Sequence, residues 1–408
     1  MLNTFFKHRS INPIIFTQRY LTVKSDVDLN VQMKLLNDRK QFRKSLDLFD
    51  KYKENNINKL SSSTITQALK ACAQICDLER GSTIHRLISS RINNDFYILA
   101  SLIHLYMQCS DVSRAESLFD RSNKKTKAMY GAMMKGYIKN NMSEKAIELF
   151  NKIQTPDEVI VTLLFNACAQ LETTEALNLV KKISKEIPKS FYWNPFVSTS
   201  LLDAFIKYYG SLMNGFIKDN NPEKVLNLFN QMKIDGIEAN EMIYLYVIKA
   251  LCQIADYSLS KSIIEKIPNS FLVNHQIQNS LIHMWGKIGY VDTAQVMFEN
   301  ISQPDQIGYT AMINAYGLNG LGIKAIELYH KMPVEYINEA TYVSVLNACS
   351  HSGLIDEARS IFKNIQLKTV KIYTTMIDCL SRGSFLNEAQ QLINEFECYH
   401  PPSPIMYS

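Results

Sequence analysis

Eight histidines and eight cysteines are the side chains of this 408-residue chain best suited to nucleophilic or metal chemistry. A catalytic zinc site built on an H-x-E and a C-x-x-C motif would draw on both. None of His8, His85, His104, His275, His283, His330, His351 and His400 is followed two residues later by Glu. Cys72 and Cys76 stand four apart in a predicted helix, sharing a face but without zinc partners nearby in sequence. Cys72, Cys168 and Cys349 each follow an alanine in one recurring context (KACAQ, NACAQ, NACSH), which makes them small core residues. Cys109, Cys252, Cys379 and Cys398 are as widely spaced, with no disulfide-type pairing, and this usage fits a reducing compartment. No phosphate-cradling P-loop, G-x-S-x-G elbow or dinucleotide fingerprint occurs. The sequence therefore predicts no catalytic residue, no metal and no cofactor.

Charge narrows the choice further. Lys and Arg number 44 against 39 Asp and Glu, and four of the cations (Lys7, Arg9, Arg19, Lys24) precede the first acid, Asp26. From Asp26 onward the balance is close to neutral, so binding of a nucleic acid must rest on local patches and base contacts rather than on bulk charge. An apolar content of 46%, with 14 Gly and 11 Pro, describes a folded, helix-rich chain. No apolar run reaches the length of a membrane span, so no membrane partner is expected. Residues 1–25 lack Asp and Glu and mix basic, hydroxyl and apolar residues, the composition of an organelle transit peptide. Arg19-Tyr20-Leu21 has the look of a mitochondrial processing point and predicts a matrix location.

These residues are carried by repeated helical hairpins. The clearest runs from Glu339 to Thr369. Tyr342, Val345, Leu346 and Cys349 form one apolar stripe, and Gly353 can take the left-handed conformation that ends a helix. Asp356 and Glu357 open a second helix that buries Ala358, Ile361 and Phe362. A polar turn with Ser110, Asn141, Asn220, Gly289, Gly320 or Gly353 recurs along the chain. Five residues after it comes a compact residue (Ala115, Ala146, Val225, Ala294, Ala325, Ala358). Four further on comes an aromatic (Phe119, Phe150, Phe229, Phe298, Tyr329, Phe362), placed to fill the gap to the next hairpin. Residues 26–401 segment into about eleven hairpins, with a shortened one at 195–205 and the start of another at 402–408. Hairpins this small must stack on copies of themselves, which predicts one continuous solenoid.

The strings IGYTAMINAYGLNGLGIKAIELYHKM, ATYVSVLNACSHSGLIDEARSIFKNI and IYTTMIDCLSRGSFLNEAQQLI resemble pentatricopeptide repeats. The alternation of repeat lengths resembles the plant-type subclass of long, short and standard repeats. The resemblance implies an all-α fold, a right-handed α-solenoid superhelix of stacked helix-turn-helix units. It also implies binding of single-stranded organellar RNA, with about one base read per repeat by a pair of side chains. One member lies in the first turn of a repeat's first helix and the other is the repeat's last residue. Matched motif to motif, Asn279 with Asp305 is the uracil combination and Thr310 with Asn338 the adenine combination. Thr66 with Asp95, Thr162 with Asn194, and Thr374 are further candidates in less regular repeats. Ala100, Gly131, Gly210, Leu245 and Val343 leave their repeats without a polar first member.

Many relatives of this subclass end in a DYW-type cytidine deaminase domain, whose zinc motifs this sequence lacks. The expectation is an RNA-binding protein that marks a site for a deaminase or another processing factor supplied in trans, RNA editing foremost. The alternative is a helical-repeat scaffold for a protein partner in the mitochondrion.

Overall fold

A helix reverses direction cheaply only where one residue can adopt positive φ. The structure, a computed structural model describing residues 25–56 and 59–399, makes that reversal eleven times. The turn residues are Lys40, Cys76, Ser110, Asn141, Glu172, Asn220, Ala255, Gly289, Gly320, Gly353 and Ser384, all with φ between 52° and 96°. The six positions predicted from sequence are among them. The next backbone N–H reaches back five residues, as in Asp111 to Tyr106 (2.9 Å) and Leu354 to Cys349 (3.0 Å), closing the helix end. Cys76 is such a cap, lying outside the helix on which it was predicted to share a face with Cys72. The presequence expected before Ser25 and the repeat start expected at 402–408 lie outside the described residues.

Eleven hairpins result. Their first helices are Asp26–Asp38, Ser62–Ile75, Phe96–Gln108, Lys127–Lys139, Glu158–Leu171, Pro195–Lys218, Glu241–Ile254, His275–Ile288, Gln306–Leu318, Glu339–Ser352 and Val370–Arg382. The second helices are Phe42–Asn56, Leu78–Leu87, Val112–Arg121, Ser143–Phe150, Thr174–Glu186, Pro222–Ile234, Tyr257–Ile264, Val291–Glu299, Gly322–Lys331, Ile355–Asn364 and Leu386–Tyr399. Among the described residues the regular structure is entirely helical, and no helix is long and apolar enough to cross a membrane. The hairpins form two compact units. The first comprises Asn178–Leu201 and the chain up to Leu171; the second comprises Glu172–Leu177 and the chain from Leu202.

The segment 195–205, read as a shortened repeat, and the helix expected to begin after it are one element, Pro195–Lys218, of 24 residues. No proline or turn residue interrupts it after Pro195, and its two glycines weaken a helix by only about 1 kcal/mol each.

Packing follows the repeat marks. Ala115, Ala146, Val225, Ala294, Ala325 and Ala358 are wholly buried between the two helices of their hairpins. The aromatic four residues later meets the tyrosine that is fourth in the next first helix. Phe119–Tyr130, Phe298–Tyr309 and Phe362–Tyr373 have centroids 5.3, 5.2 and 5.4 Å apart, edge to face. Successive first helices approach through small residues, the twelfth of one against the tenth of the next, as in Gly286 with Ala315 and Gly317 with Ala348. A Cβ at Gly317 would lie 2.8 Å from the Cα of Ala348, so the spacing of these helices is set by the absent side chain. Cys72, Cys168 and Cys349 are buried, and burial pushes each thiol up to about 12, as befits packing residues.

The turns give a stability test. Ala255 holds φ 59° with an exposed side chain, and at Gly353 an added Cβ would meet nothing within 4 Å, so backbone strain alone separates Ala from Gly at both. Ala255→Gly is expected to gain about 1 kcal/mol and Gly353→Ala to lose about 1 kcal/mol in urea unfolding. Shifts of the same sign at both sites would contradict the turn assignment.

Candidate nucleic-acid interface

Numbered from its first residue, each first helix turns the same positions toward one face, because 2, 5, 9 and 13 are separated by three or four residues. The fifth residues are Asn30, Thr66, Ala100, Gly131, Thr162, Leu245, Asn279, Thr310, Val343 and Thr374. Thr199 takes this place in Pro195–Lys218, whereas Gly210, aligned to it from sequence, lies mid-helix. In each unit these faces line a concave groove. The first unit's groove, of about 860 Å³, includes Thr66, Thr162 and Asn194. The second unit's, of about 990 Å³, includes Asn279, Asp305, Thr310 and Asn338. Asp95 and Thr374 lie on the same elements but outside these two linings.

The second member of each inferred pair is the residue that starts the next first helix, and it has a structural task. Asp95 accepts from the backbone N–H of Tyr97 and Ile98 (both 3.1 Å), Asn194 from Phe196 (2.9 Å), Asp305 from Gly308 (2.7 Å) and Asn338 from Thr341 (3.1 Å). These are N-caps, satisfying amide groups the helix leaves unpaired. The caps also tie back to the preceding hairpin. Ser62 donates to Asp95, Asn194 to Glu158, and Asn274 to Glu241 (2.8 Å).

The first members divide into two kinds. The hydroxyls of Thr66, Thr162, Thr310 and Thr374 donate to carbonyls on their own helices, at 2.7–2.8 Å from Ser63, Glu158, Gln306 and Val370. Each hydroxyl oxygen keeps acceptor capacity for a ligand. Asn279 differs. Its Nδ2 donates to Asp305 Oδ1 (2.9 Å), and the side chain is 6% exposed. A Cβ on Gly308 would sit 2.8 Å from Asn279 Oδ1, so any other residue there would push the Asn279 amide aside. Of the inferred pairs, Asn279–Asp305 is the one whose two side chains are joined directly; Thr310 and Asn338 share the groove without a mutual bond.

Residues 99–125, 128–155, 307–337, 340–369 and 371–399 match the PPR repeat model, and 206–253 match the PPR repeat family model. The chain carries pentatricopeptide repeats. It is 25% identical to the pentatricopeptide repeat-containing protein At2g03380, mitochondrial, of Arabidopsis thaliana, over 86% of this chain and 55% of that protein. It is likewise 25% identical to At1g06140, mitochondrial, of the same plant, over 82% of this chain and 66% of that one. The chain thus spans between 55% and 66% of the length of these relatives. Among solved structures it is similar to the pentatricopeptide repeat protein PPR10 in complex with an 18-nt psaJ RNA element. That similarity has a TM-score of 0.42 at 14% identity, over 94% of this chain and 76% of that one.

Two further columns on these pentatricopeptide repeats went unread in the sequence. At position two, Val27, Tyr97, Val159, Phe196, Met242 and Ile307 are between 51% and 79% exposed. Within each unit, large apolar side chains repeated at one exposed helix position mark a contact surface. Tyr97 and Phe196 are thus exposed, unlike the aromatics that fill the gaps between hairpins, and of the two tryptophans Trp285 is buried while Trp193 is exposed. At position nine the first unit presents Lys34, Lys70, His104, Lys135 and Asn166, the second Asp203, Lys249, His283, Asn314, Asn347 and Asp378. Counting three and four residues from the fifth position would have found both. The near-neutral total also conceals a division. From Ser25 the first unit holds 25 Lys and Arg against 17 Asp and Glu, and the second holds 15 against 22. Among the described residues no cluster of His, Cys, Asp or Glu could hold a metal ion.

His104 reports this environment. Burial, then the charges of Lys135, Lys139 and Lys70, hold its imidazole down at about 4, so it is neutral at pH 7. A folded-state pKa below the unfolded value means that the unfolded chain takes up the proton first. Stability from this group is then complete above about pH 6.5 and is lost as pH falls toward 4. The loss should reach up to about 3 kcal/mol. Urea midpoints measured from pH 7.5 to 4 should fall less steeply in His104→Gln than in the wild type; identical slopes would contradict this environment.

Proposed function

We propose that this chain binds single-stranded RNA along the first-helix faces and marks a site on a mitochondrial transcript for a processing enzyme acting in trans. An editing deaminase is the first candidate, in keeping with the plant-type subclass in which long, short and standard repeats alternate. First helices here begin 31 to 37 residues apart, with one interval of 46 across Pro195–Lys218. The mitochondrial assignment draws on the acid-free presequence and on relatives named as mitochondrial.

The observation that carries the reading is the Asn279–Asp305 pair in its groove. Because a carboxylate only accepts, the Asn279 amide is turned with Nδ2 toward Asp305, which leaves Oδ1 in a fixed direction. Short side chains held this way can meet the Watson–Crick edge of an unstacked base at little entropic cost. Thr310 and Asn338 stand one repeat along in the same groove. The apolar position-two side chains offer the faces between which bases can lie. Thr66 with Asp95, Thr162 with Asn194, and Thr374 are weaker readers on this view, and the protein itself performs no bond-making step. A near-neutral body would favour the scaffold alternative; the unequal charges of the two units remove that ground.

The test is binding to short RNAs changed one base at a time. Single strands should bind and duplexes should not. Asn279→Ala and Thr310→Ala should each relax preference at one base, with a loss of about 1 kcal/mol, five- to tenfold, on the preferred RNA. Unchanged affinity and unchanged preference in both variants would contradict base reading.

A further inference from the structure

Three cations on the second helices of the first unit, Arg80, Arg114 and Lys145, are paired. Arg80 meets Asp47 and Asp50, Arg114 meets Asp111, and Lys145 meets Glu116 at 2.9 Å. The groove is different. Lys70, Lys127 and Lys135 line it with one carboxylate, Asp157, whose Oδ1 caps a helix through the N–H of Ile160 (3.0 Å). None of the three lysines makes an ion pair among the described residues. Lys139 is close by, its ammonium donating to the carbonyl and side-chain oxygens of Gln108 (2.6 and 2.8 Å). Lys70, Lys135 and Lys139 all act on His104. The second unit's groove has one lysine, Lys249, against Asp305, in a unit with more acids than bases.

Like charges gathered on a concave wall and outnumbering its carboxylates repel one another, and the repulsion is relieved when an anion enters. Position nine lies one helical turn beyond the fifth residue, so a cation there sits beside a base-reading position rather than on it. We propose that the two units divide RNA binding between them. The first unit anchors phosphates through Lys70, Lys135 and Lys139, continued by Lys34 in the first hairpin. The second selects bases through Asn279, Asp305, Thr310 and Asn338 with little electrostatic attraction. This rests on the RNA-binding reading and adds to it where the salt dependence of binding originates.

Each phosphate contact on a single strand contributes roughly 0.7 to the slope of log K against log salt. Lys70→Ala with Lys135→Ala in the full chain should lower that slope by about 1.4 on a single-stranded RNA while leaving base preference as it was. Both side chains are exposed, so the double variant should fold. The control, Lys331→Ala with Lys363→Ala, removes equal charge from exposed sites on second helices of the other unit and should leave the slope unchanged. An unaltered slope in the groove variant, or an equal drop in the control, overturns the division while RNA binding stands. A wild-type chain that binds no RNA at low salt overturns the RNA reading and this inference with it.

Discussion

The structure depends on how closely successive first helices approach. Gly286 against Ala315 and Gly317 against Ala348 leave no room for a larger side chain, and the same pair of positions brings Gly136 onto Met107. This contact fixes the distance from one hairpin to the next, and so the distance from one fifth residue to the next. A ligand that presents one group per repeat can be met only if that distance is constant. The aromatic–tyrosine contacts from second helix to following first helix set the rotation of each hairpin in the same way. Function here is a matter of spacing, and spacing is set by packing.

A second economy lies in the caps. Asp95, Asn194, Asp305 and Asn338 each complete the amino end of a helix, and those same side chains stand at the edge of the face proposed to read bases. A carboxylate or amide serves both tasks because it has more than one acceptor site. Substituting such a residue changes stability as well as recognition, by about 1 kcal/mol for the cap alone. Variants of the helix-borne members, Asn279 and Thr310, separate the two effects more cleanly.

Much of this was legible in the sequence. Six of the eleven turn residues were visible, five because Gly and Asn tolerate positive φ and Ser110 because it stands at the same offset from the compact and aromatic marks; Lys40, Cys76, Glu172, Ala255 and Ser384 were not, since nothing in those residue types announces it. The compact and aromatic marks could be read because each has a fixed offset from the turn. The long helix Pro195–Lys218 could not, because two helical patterns placed end to end look like two helices with a missing partner. At the groove, the fifth-position residues came from resemblance and the join between Asn279 and Asp305 from geometry. The charge division was hidden because the excess of one unit nearly cancels the deficit of the other.

The central claim is that first-helix faces form the RNA-binding surface. Photo-crosslinking of the full chain to a 4-thiouridine-containing single-stranded RNA, with the attached peptides identified by mass spectrometry, addresses it most directly. Crosslinks should fall within Ser62–Ile75, Phe96–Gln108, Lys127–Lys139, His275–Ile288 and Gln306–Leu318. Crosslinks confined to second helices such as Val112–Arg121 and Val291–Glu299 would contradict it.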